Sequence, residues 1–324
     1  MLAHRHIRVA LLALSVFTGL AGAEGPSENA NVPAGLPTYH SNVSEVRVTL
    51  FATGENNRAL ETVTKSDFAV VDNERVIRDF RSFAHSDETA LDVVALLDMS
   101  ESVAPRIRAA MDEVLQLMAH EQSIANDNLS VLSFGGTLSG PPGVSSSAIQ
   151  AAVLCSSGCR DSGSAQRLQM IKSGGVTPLY DALIFGADFL LHHRRAGARP
   201  VVILFSDGND TISLHSAREA VQAVLGEGAL VYAVDMETSA TAGSAFLWHL
   251  SEATGGRYFA LRSQQNDAVT VLNAALEDLR ASYVVTYELP SHEAGFHSLR
   301  LLPTHNLNLT FHSRNGYYYE PSAQ

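Results

Sequence analysis

Three oxygen-bearing side chains follow an apolar run at residues 91–97, and they occupy alternating positions: Asp98, Ser100 and Ser102. In an extended chain, residues two apart point the same way, so one carboxylate and two hydroxyls can converge on one point. Hard oxygen ligands of this kind suit Mg²⁺, Mn²⁺ or Ca²⁺. The alternative is that a Ser or Asp here simply caps the helix that follows.

Two further segments carry side chains of the same chemistry. Thr177 stands directly before Pro178 in SGGVTPLYDAL, and Asp207 directly follows the apolar stretch PVVILFS. Taken alone, Thr177 suits a helix cap and Ser-Asp-Gly suits an ordinary turn. All five candidates nevertheless lie where loops leave strands or enter helices, which is the ligand-binding edge of an open α/β sheet.

The segments that must position these side chains alternate between apolar strands and amphipathic helices, which indicates an α/β fold. Strands are predicted at residues 91–98, 129–134, 200–206, 230–236 and 257–261. Helices are predicted at residues 104–120, from Pro178 onward, in SAREAVQAVLGEG, in AFLWHLSEATGG and at residues 267–281. The single tryptophan, Trp248, is expected to pack in the core.

Strand-rich sequence flanks this α/β region on both sides. Residues 43–86 contain EVRVTLF, DFAVVD and VIRDFRSF, which read as three short strands. Residues 282–320 contain SYVVTYEL, HSLRLLP, NLNLTFH and GYYYE. Because chain ends often lie close together, the simplest hypothesis is that the two segments pair and form one β module.

The first 23 residues have the pattern of a cleaved secretory signal peptide: a basic start, an apolar stretch and Ala-Gly-Ala. The expected mature protein is therefore exported, periplasmic or secreted, and begins with a polar leader at residues 24–42. No other apolar run is long enough for a membrane anchor. Cleavage leaves 20 Lys and Arg against 34 Asp and Glu, a net charge near −14 that disfavours nucleic acid.

Other motifs argue against common enzyme chemistries. Neither Lys65 nor Lys172 follows a glycine, so a phosphate-binding P-loop is absent, and no Gly-x-Ser-x-Gly motif occurs. His292 and His297 are five residues apart, whereas the zinc protease motif needs a spacing of four. Cys155 and Cys159 are expected to form a small disulfide in an oxidising compartment.

The ordered set of motifs resembles the von Willebrand factor type A domain over residues 90–281. The Asp-x-Ser-x-Ser element of its metal-ion-dependent adhesion site corresponds to Asp98, Ser100 and Ser102, its loop threonine to Thr177 and its later aspartate to Asp207. The flanking stretches DFAVVDNERVIRDFRSF, SYVVTYELPSHEAGFHSLRL and NGYYYE resemble an exported bacterial subfamily described as acidobacterial von Willebrand A-related proteins.

This resemblance implies a non-enzymatic protein-binding module. The site would hold Mg²⁺, or alternatively Mn²⁺ or Ca²⁺, and an Asp or Glu carboxylate of a partner protein would complete it. Ser100 and Ser102 would be direct ligands, Asp98 and Asp207 would act largely through waters, and Thr177 would enter or leave the inner shell. Two alternatives stay open: a structural envelope protein whose metal stabilises the fold, and a metal-dependent hydrolase.

Overall fold

The structure is a computed structural model, and it describes residues 45–60, 62–86, 89–120, 128–137, 151–157, 159, 163–261 and 267–321. These residues belong to one compact unit, Val43–Gln324. The signal peptide and leader predicted at residues 1–42 lie outside the described residues. None of the helices in the described part of the chain has the length and apolar character that crossing a membrane requires.

A six-stranded sheet forms the centre of the fold. Its members, in chain order, are β5 (Leu91–Asp98), β6 (Leu129–Phe134), β8 (Ala152–Cys155), β10 (Arg199–Ser206), β11 (Leu230–Asp235) and β12 (Tyr258–Ala260). Their order across the sheet is β12-β11-β10-β5-β6-β8, with every pairing parallel except that of the edge strand β8. The strand order reverses between β5 and β10, which creates a crevice at the carboxyl ends of these two strands.

Helices cover both faces of this sheet, as the predicted α/β class requires. The helices are α1 (Ala104–His120), α2 (Gly163–Met170), α3 (Leu179–His193), α4 (Ala217–Gly226), α5 (Ala242–Thr254) and α6 (Ala268–Arg280). Alternate residues of β5 enter two separate cores: Val93, Ala95 and Leu97 pack with α1 and α6. Val94 and Leu96 pack with α3, α4 and α5 on the other face.

The segments before and after the α/β region form two antiparallel four-stranded sheets. The earlier strands are β1 (Glu45–Thr53), β2 (Phe68–Asp72), β3 (Arg75–Ile77) and β4 (Ser82–His85). The later strands are β13 (Tyr283–Glu288), β14 (Gly295–Pro303), β15 (Thr310–Ser313) and β16 (Gly316–Tyr319). The sheet orders are β15-β1-β13-β4 and β16-β14-β2-β3, so each sheet contains strands from both segments. The two sheets share one hydrophobic core.

A two-stranded ribbon of β7 (Gly136–Thr137) and β9 (Lys172–Ser173) completes the strands of the described residues. It joins the loop after β6 to the loop that precedes Thr177. Both loops reach the crevice at the carboxyl ends of the central strands.

Two local predictions were wrong. The stretch VIRDFRSF was predicted to be one strand, but it contains the ends of two: β3 pairs with β2, whereas β4 pairs with β13 in the other sheet. One strand therefore ends at Ile77, and the next begins at Ser82. Trp248 was expected in the core but is 47% exposed, because Leu247 and Leu250 occupy the buried face of α5 and Trp248 points away from it.

Candidate metal centre

The five predicted oxygen ligands lie on the loops that line the crevice between β5 and β10. Asp98 ends β5, and Asp207 directly follows β10. The first of these strands leads through Ser100 and Ser102 into α1, and Thr177 precedes α3. The parallel register places Leu97 opposite Phe205, so the two aspartates leave neighbouring strands at the same edge.

Asp98 is fully buried and is held by short hydrogen bonds. Its Oδ1 accepts from the backbone N–H of Ser100 at 2.9 Å, and its Oδ2 accepts from the Ser206 hydroxyl at 2.7 Å. The Ser206 hydroxyl in turn accepts from the backbone N–H of Gly208 at 3.0 Å. The carboxylate is thus fixed by its own loop and by the loop that carries Asp207.

The serine hydroxyls connect the two aspartates. The Ser102 hydroxyl donates to Asp207 Oδ2 at 2.9 Å, and the oxygens of Ser100 and Ser102 lie 3.3 Å apart. The other oxygen of Asp207 accepts from the backbone N–H of Asn209 at 3.0 Å. Four of the five predicted side chains therefore form one continuous group of oxygen atoms.

Thr177 is joined to this group through the Asp207 loop. Its backbone N–H donates to the Thr211 hydroxyl at 2.7 Å, and its backbone oxygen accepts from the Thr211 N–H at 2.9 Å. The Thr177 side chain is buried, and its hydroxyl forms no hydrogen bond within the described residues. It is available to an additional ligand.

Sequence reasoning missed two residues of this site, Ser206 and Gly135. The Ser206 hydroxyl, at the end of β10, donates a hydrogen bond to Asp98 at the end of the neighbouring strand β5. Its only sequence signal is that it directly precedes Asp207. Gly135, directly after β6, has a φ of +72°, and a Cβ there would lie 3.2 Å from Asp98 Oδ1 and 3.1 Å from the Ser100 nitrogen. The glycine pair that ends SFGG was the available signal for this close approach.

The electrostatics of the site favour a cation. Asp98 and Asp207 are both buried, and neither forms an ion pair with an Arg, Lys or His side chain within the described residues. Burial raises the pKa of the Asp98 carboxyl to about 6, although the hydrogen bonds from Ser206 and Ser100 oppose this shift. Negative charge surrounded by hydroxyls, and without a protein cation, fits a hard divalent ion.

The sequence of this region decides the family. A model of the von Willebrand factor type A domain matches residues 93–209, the segment that carries all five candidate ligands. This part of the chain belongs to the von Willebrand factor type A domain family. The predicted family and the predicted fold class are both confirmed, and the central sheet with its six helices is hereafter called the von Willebrand A domain.

Solved structures with a similar fold are distant. BatB from Bacteroides thetaiotaomicron is 13% identical, and the match covers 59% of this chain and 98% of that protein with a TM-score of 0.42. A von Willebrand factor type A protein from Catenulispora acidiphila is 10% identical, with coverage of 88% and 76% and a TM-score of 0.42. Proximal thread matrix protein 1 from the mussel byssus, with a zinc-occupied MIDAS motif, is 14% identical, with coverage of 64% and 50% and a TM-score of 0.44.

Likenesses this weak carry no information about what the present chain binds. No curated protein matches the chain.

The remaining candidate residues of the sequence have separate environments. Cys155 and Cys159 form a disulfide at the end of β8. His292 lies 3.2 Å from the Tyr319 hydroxyl, whereas His297 is buried in β14, 2.8 Å from the Glu293 carbonyl oxygen. Within the described residues, no group of three or more His, Cys, Asp or Glu side chains could hold a metal. The candidate metal centre at the crevice is different, because three of its five proposed ligands are hydroxyl groups of Ser and Thr.

Proposed function

We propose that this chain is an exported, divalent-cation-dependent protein-binding module. The observation that carries the proposal is the pair of buried aspartates at the crevice, joined by serine hydroxyls and lacking a cationic partner within the described residues. The membership of residues 93–209 in the von Willebrand factor type A family supports it, because this family is known chiefly for interaction modules. Mg²⁺ is the proposed ion, with Mn²⁺ or Ca²⁺ as alternatives.

The proposed roles follow from the contacts of each side chain. Ser100 and Ser102 offer neutral hydroxyls to the ion, and Asp98 and Asp207 balance its charge from buried positions. Thr177 adds a hydroxyl that has no hydrogen-bond partner in the described part of the chain. A bound cation would supply an exchangeable coordination position, which an Asp or Glu carboxylate of a partner protein can fill.

Export is proposed because the first 23 residues have the pattern of a signal peptide. A division of the chain into segments is also proposed. That division comprises the leader at residues 24–42, the β segments at 43–86 and 282–320, and the von Willebrand A domain at 90–281. We also propose membership of the acidobacterial von Willebrand A-related subfamily, on the flanking motifs alone. The Cys155–Cys159 disulfide is consistent with an oxidising compartment.

A purely structural metal is the second candidate function, since the aspartates also fix two loops of the domain. A hydrolase is less well supported, because a hydrolytic mechanism needs a placed general base beside the metal. We therefore propose a non-enzymatic role for this chain.

The test compares proteins retained from envelope and secreted extracts by the immobilised parent protein and by Thr177→Ala. Because the Thr177 loop is held by backbone bonds to Thr211, alanine should leave the fold intact. We expect retention in Mg²⁺, release by EDTA and loss of retention by the variant. Equal retention in EDTA, or by Thr177→Ala, would contradict the proposal. Unchanged retention by Asp98→Ala with a much lower melting temperature would favour the structural role.

A further inference from the structure

A second cleft lies at the opposite end of the central sheet from the candidate metal centre. It has a volume of about 570 Å³, and five arginines line it: Arg47, Arg194, Arg195, Arg199 and Arg314. Glu227 is the single acidic residue among the lining residues that the structure describes. Because Arg199 begins β10 and Asp207 follows its end, the two sites are roughly 26 Å apart along that strand.

The five arginines come from different parts of the fold. Arg47 belongs to β1, and Arg314 follows β15, so these two come from the β module. Arg194 and Arg195 follow α3, and Arg199 starts β10 in the von Willebrand A domain. Interaction with the carbonyls at the end of α3 can explain arginines in that loop. It does not explain why the β module contributes two more.

Two of the arginines are held by the surrounding protein. Arg195 forms an ion pair with Asp92 at 3.0 Å. Arg199 is buried and donates to the backbone oxygens of Ser86 and Leu279, at 3.1 and 2.9 Å. These two side chains form a fixed wall of the cleft, in which Asp92 balances the charge of Arg195.

The other three have unused hydrogen-bonding capacity. Arg47, Arg194 and Arg314 form no ion pair with a carboxylate within the described residues. Arg194 donates to the Glu227 carbonyl oxygen at 3.0 Å, and Arg314 donates to the Arg47 carbonyl oxygen at 2.9 Å. The Nε–H of Arg314 is buried and has no acceptor among the described residues, which is unusual for a buried donor.

The charge of the cleft is opposite to that of the whole chain, whose formal net charge is −12. A guanidinium group presents its donors in a planar fork that matches carboxylate and phosphate oxygens. A volume of about 570 Å³ is within the usual range for small-molecule sites. We propose that this arginine cleft binds a small multivalent oxyanion, a molecule with two or more carboxylate or phosphate groups.

Calorimetric titration of the purified full chain in metal-free, low-salt buffer tests the proposal, with citrate as the carboxylate probe and pyrophosphate as the phosphate probe. The test variant is Arg47→Gln combined with Arg194→Gln, since both side chains are exposed. Arg218→Gln is the matched control, because Arg218 is an exposed arginine of α4 outside the cleft. Melting curves check that each variant is folded.

We expect the parent and Arg218→Gln to bind at least one probe in a one-to-one complex that added salt weakens. The double variant should bind at least about tenfold more weakly, as expected for lost charge-assisted hydrogen bonds. Preference for citrate would identify a carboxylate ligand, and preference for pyrophosphate a phosphate ligand. Binding of neither probe, or equal binding by the double variant, would overturn the proposal.

Discussion

At the scale of single residues, Asp98 is a proposed metal ligand whose carboxylate is buried even when no metal is bound. The metal-free protein must bury this carboxylate, and burial raises its pKa from 3.8 to about 6. A raised carboxyl pKa means that the folded state retains a proton that the unfolded state releases. The contribution of Asp98 to the stability of the metal-free protein therefore falls as pH rises from about 4 to about 6, and it is constant above that range.

Asp98→Asn should stabilise the metal-free protein at pH 7.5. The amide retains the bond from the Ser100 nitrogen and can donate to the Ser206 hydroxyl, but it has no charge to desolvate. The shift to about 6 corresponds to a gain of up to about 3 kcal/mol in the free energy of unfolding.

Denaturant unfolding in EDTA at several pH values measures this difference. The advantage of the variant over the parent should grow from pH 4 to pH 6 and then stay level. A variant that is less stable than the parent at pH 7.5 would refute the electrostatic account of Asp98.

Ser206 is the residue whose role sequence reasoning could not reach, because its partner Asp98 is 108 positions away. Ser206→Ala removes the donor to Asp98 Oδ2 and the acceptor for the Gly208 N–H. We expect a loss of about 1–3 kcal/mol in the free energy of unfolding, together with weaker Mg²⁺ binding. Thermal unfolding with and without Mg²⁺ measures both; a variant with parental stability and an unchanged Mg²⁺-induced shift would contradict the role assigned to Ser206.

At the scale of elements, α5 positions the Asp207 loop by close packing. A Cβ on Gly243 would lie 2.4 Å from the Asp207 carbonyl oxygen, and one on Gly208 would lie 2.2 Å from the Gly243 carbonyl oxygen. Only glycine at both positions permits this approach of helix and loop. The site thus depends on a helix that contributes none of the five proposed ligands.

Gly243→Ala should therefore displace Asp207 and abolish Mg²⁺ binding, at a cost of about 1–3 kcal/mol in stability. Gly226→Ala, in α4, is the matched control because, apart from its chain neighbours and the backbone of its own helix, no atom of the described residues lies within 4 Å of its added Cβ. The control should keep Mg²⁺ affinity and be as stable as the parent or more so. Calorimetry and thermal unfolding of both variants provide the comparison, and retained Mg²⁺ binding by Gly243→Ala would refute this packing argument.

How well the strands and the site contacts could be predicted from the sequence depends on whether they leave a local sequence pattern. Strands at residues 91–98 and 129–134 were predicted with the bounds that the structure has, because apolar residues dominate both segments. The stretch around Arg78 was misread because β propensity does not reveal a change of sheet. The close contacts of Gly135 and Gly243 depend on the distance between backbones far apart in sequence, so the glycine pair in SFGG signalled a close approach without identifying the residues it meets.

At the scale of the whole molecule, the two flanking segments pair with each other in the β module, and this module contacts the von Willebrand A domain. β1 pairs with β13 from Glu45 opposite Glu288 to Leu50 opposite Tyr283. The Arg257 guanidinium contacts both oxygens of Asp278, at 2.9 and 3.0 Å, and also donates to the Asn57 carbonyl oxygen at 3.0 Å. One buried arginine, directly before β12, therefore joins that strand's start to α6 and to the turn that follows β1.

Arg257→Met should destabilise the entire chain by about 3–5 kcal/mol, because it leaves the buried Asp278 carboxylate without its partner. The double variant with Asp278→Leu should recover part of that loss. Denaturant unfolding of the single and double variants measures the effect, and a single variant with parental stability would contradict the linking role of Arg257.

Deleting residues 24–85 should expose the strands after residue 282 to proteolysis, since each sheet of the β module loses two of its four strands. Limited proteolysis with mass spectrometry locates the cuts, and deletion of residues 24–42 alone is the control. Equal protection of both truncated proteins would show that the C-terminal strands fold without their partners.

We propose that the crevice between β5 and β10 binds one divalent cation. Calorimetric titration of the metal-stripped protein with Mg²⁺ and Mn²⁺, beside Asp98→Ala, measures this binding. We expect one bound ion in the parent protein and no binding in the variant, with weaker binding by the parent below pH 6 as Asp98 becomes protonated. Absence of binding by the parent, or equal binding by the variant, would contradict it.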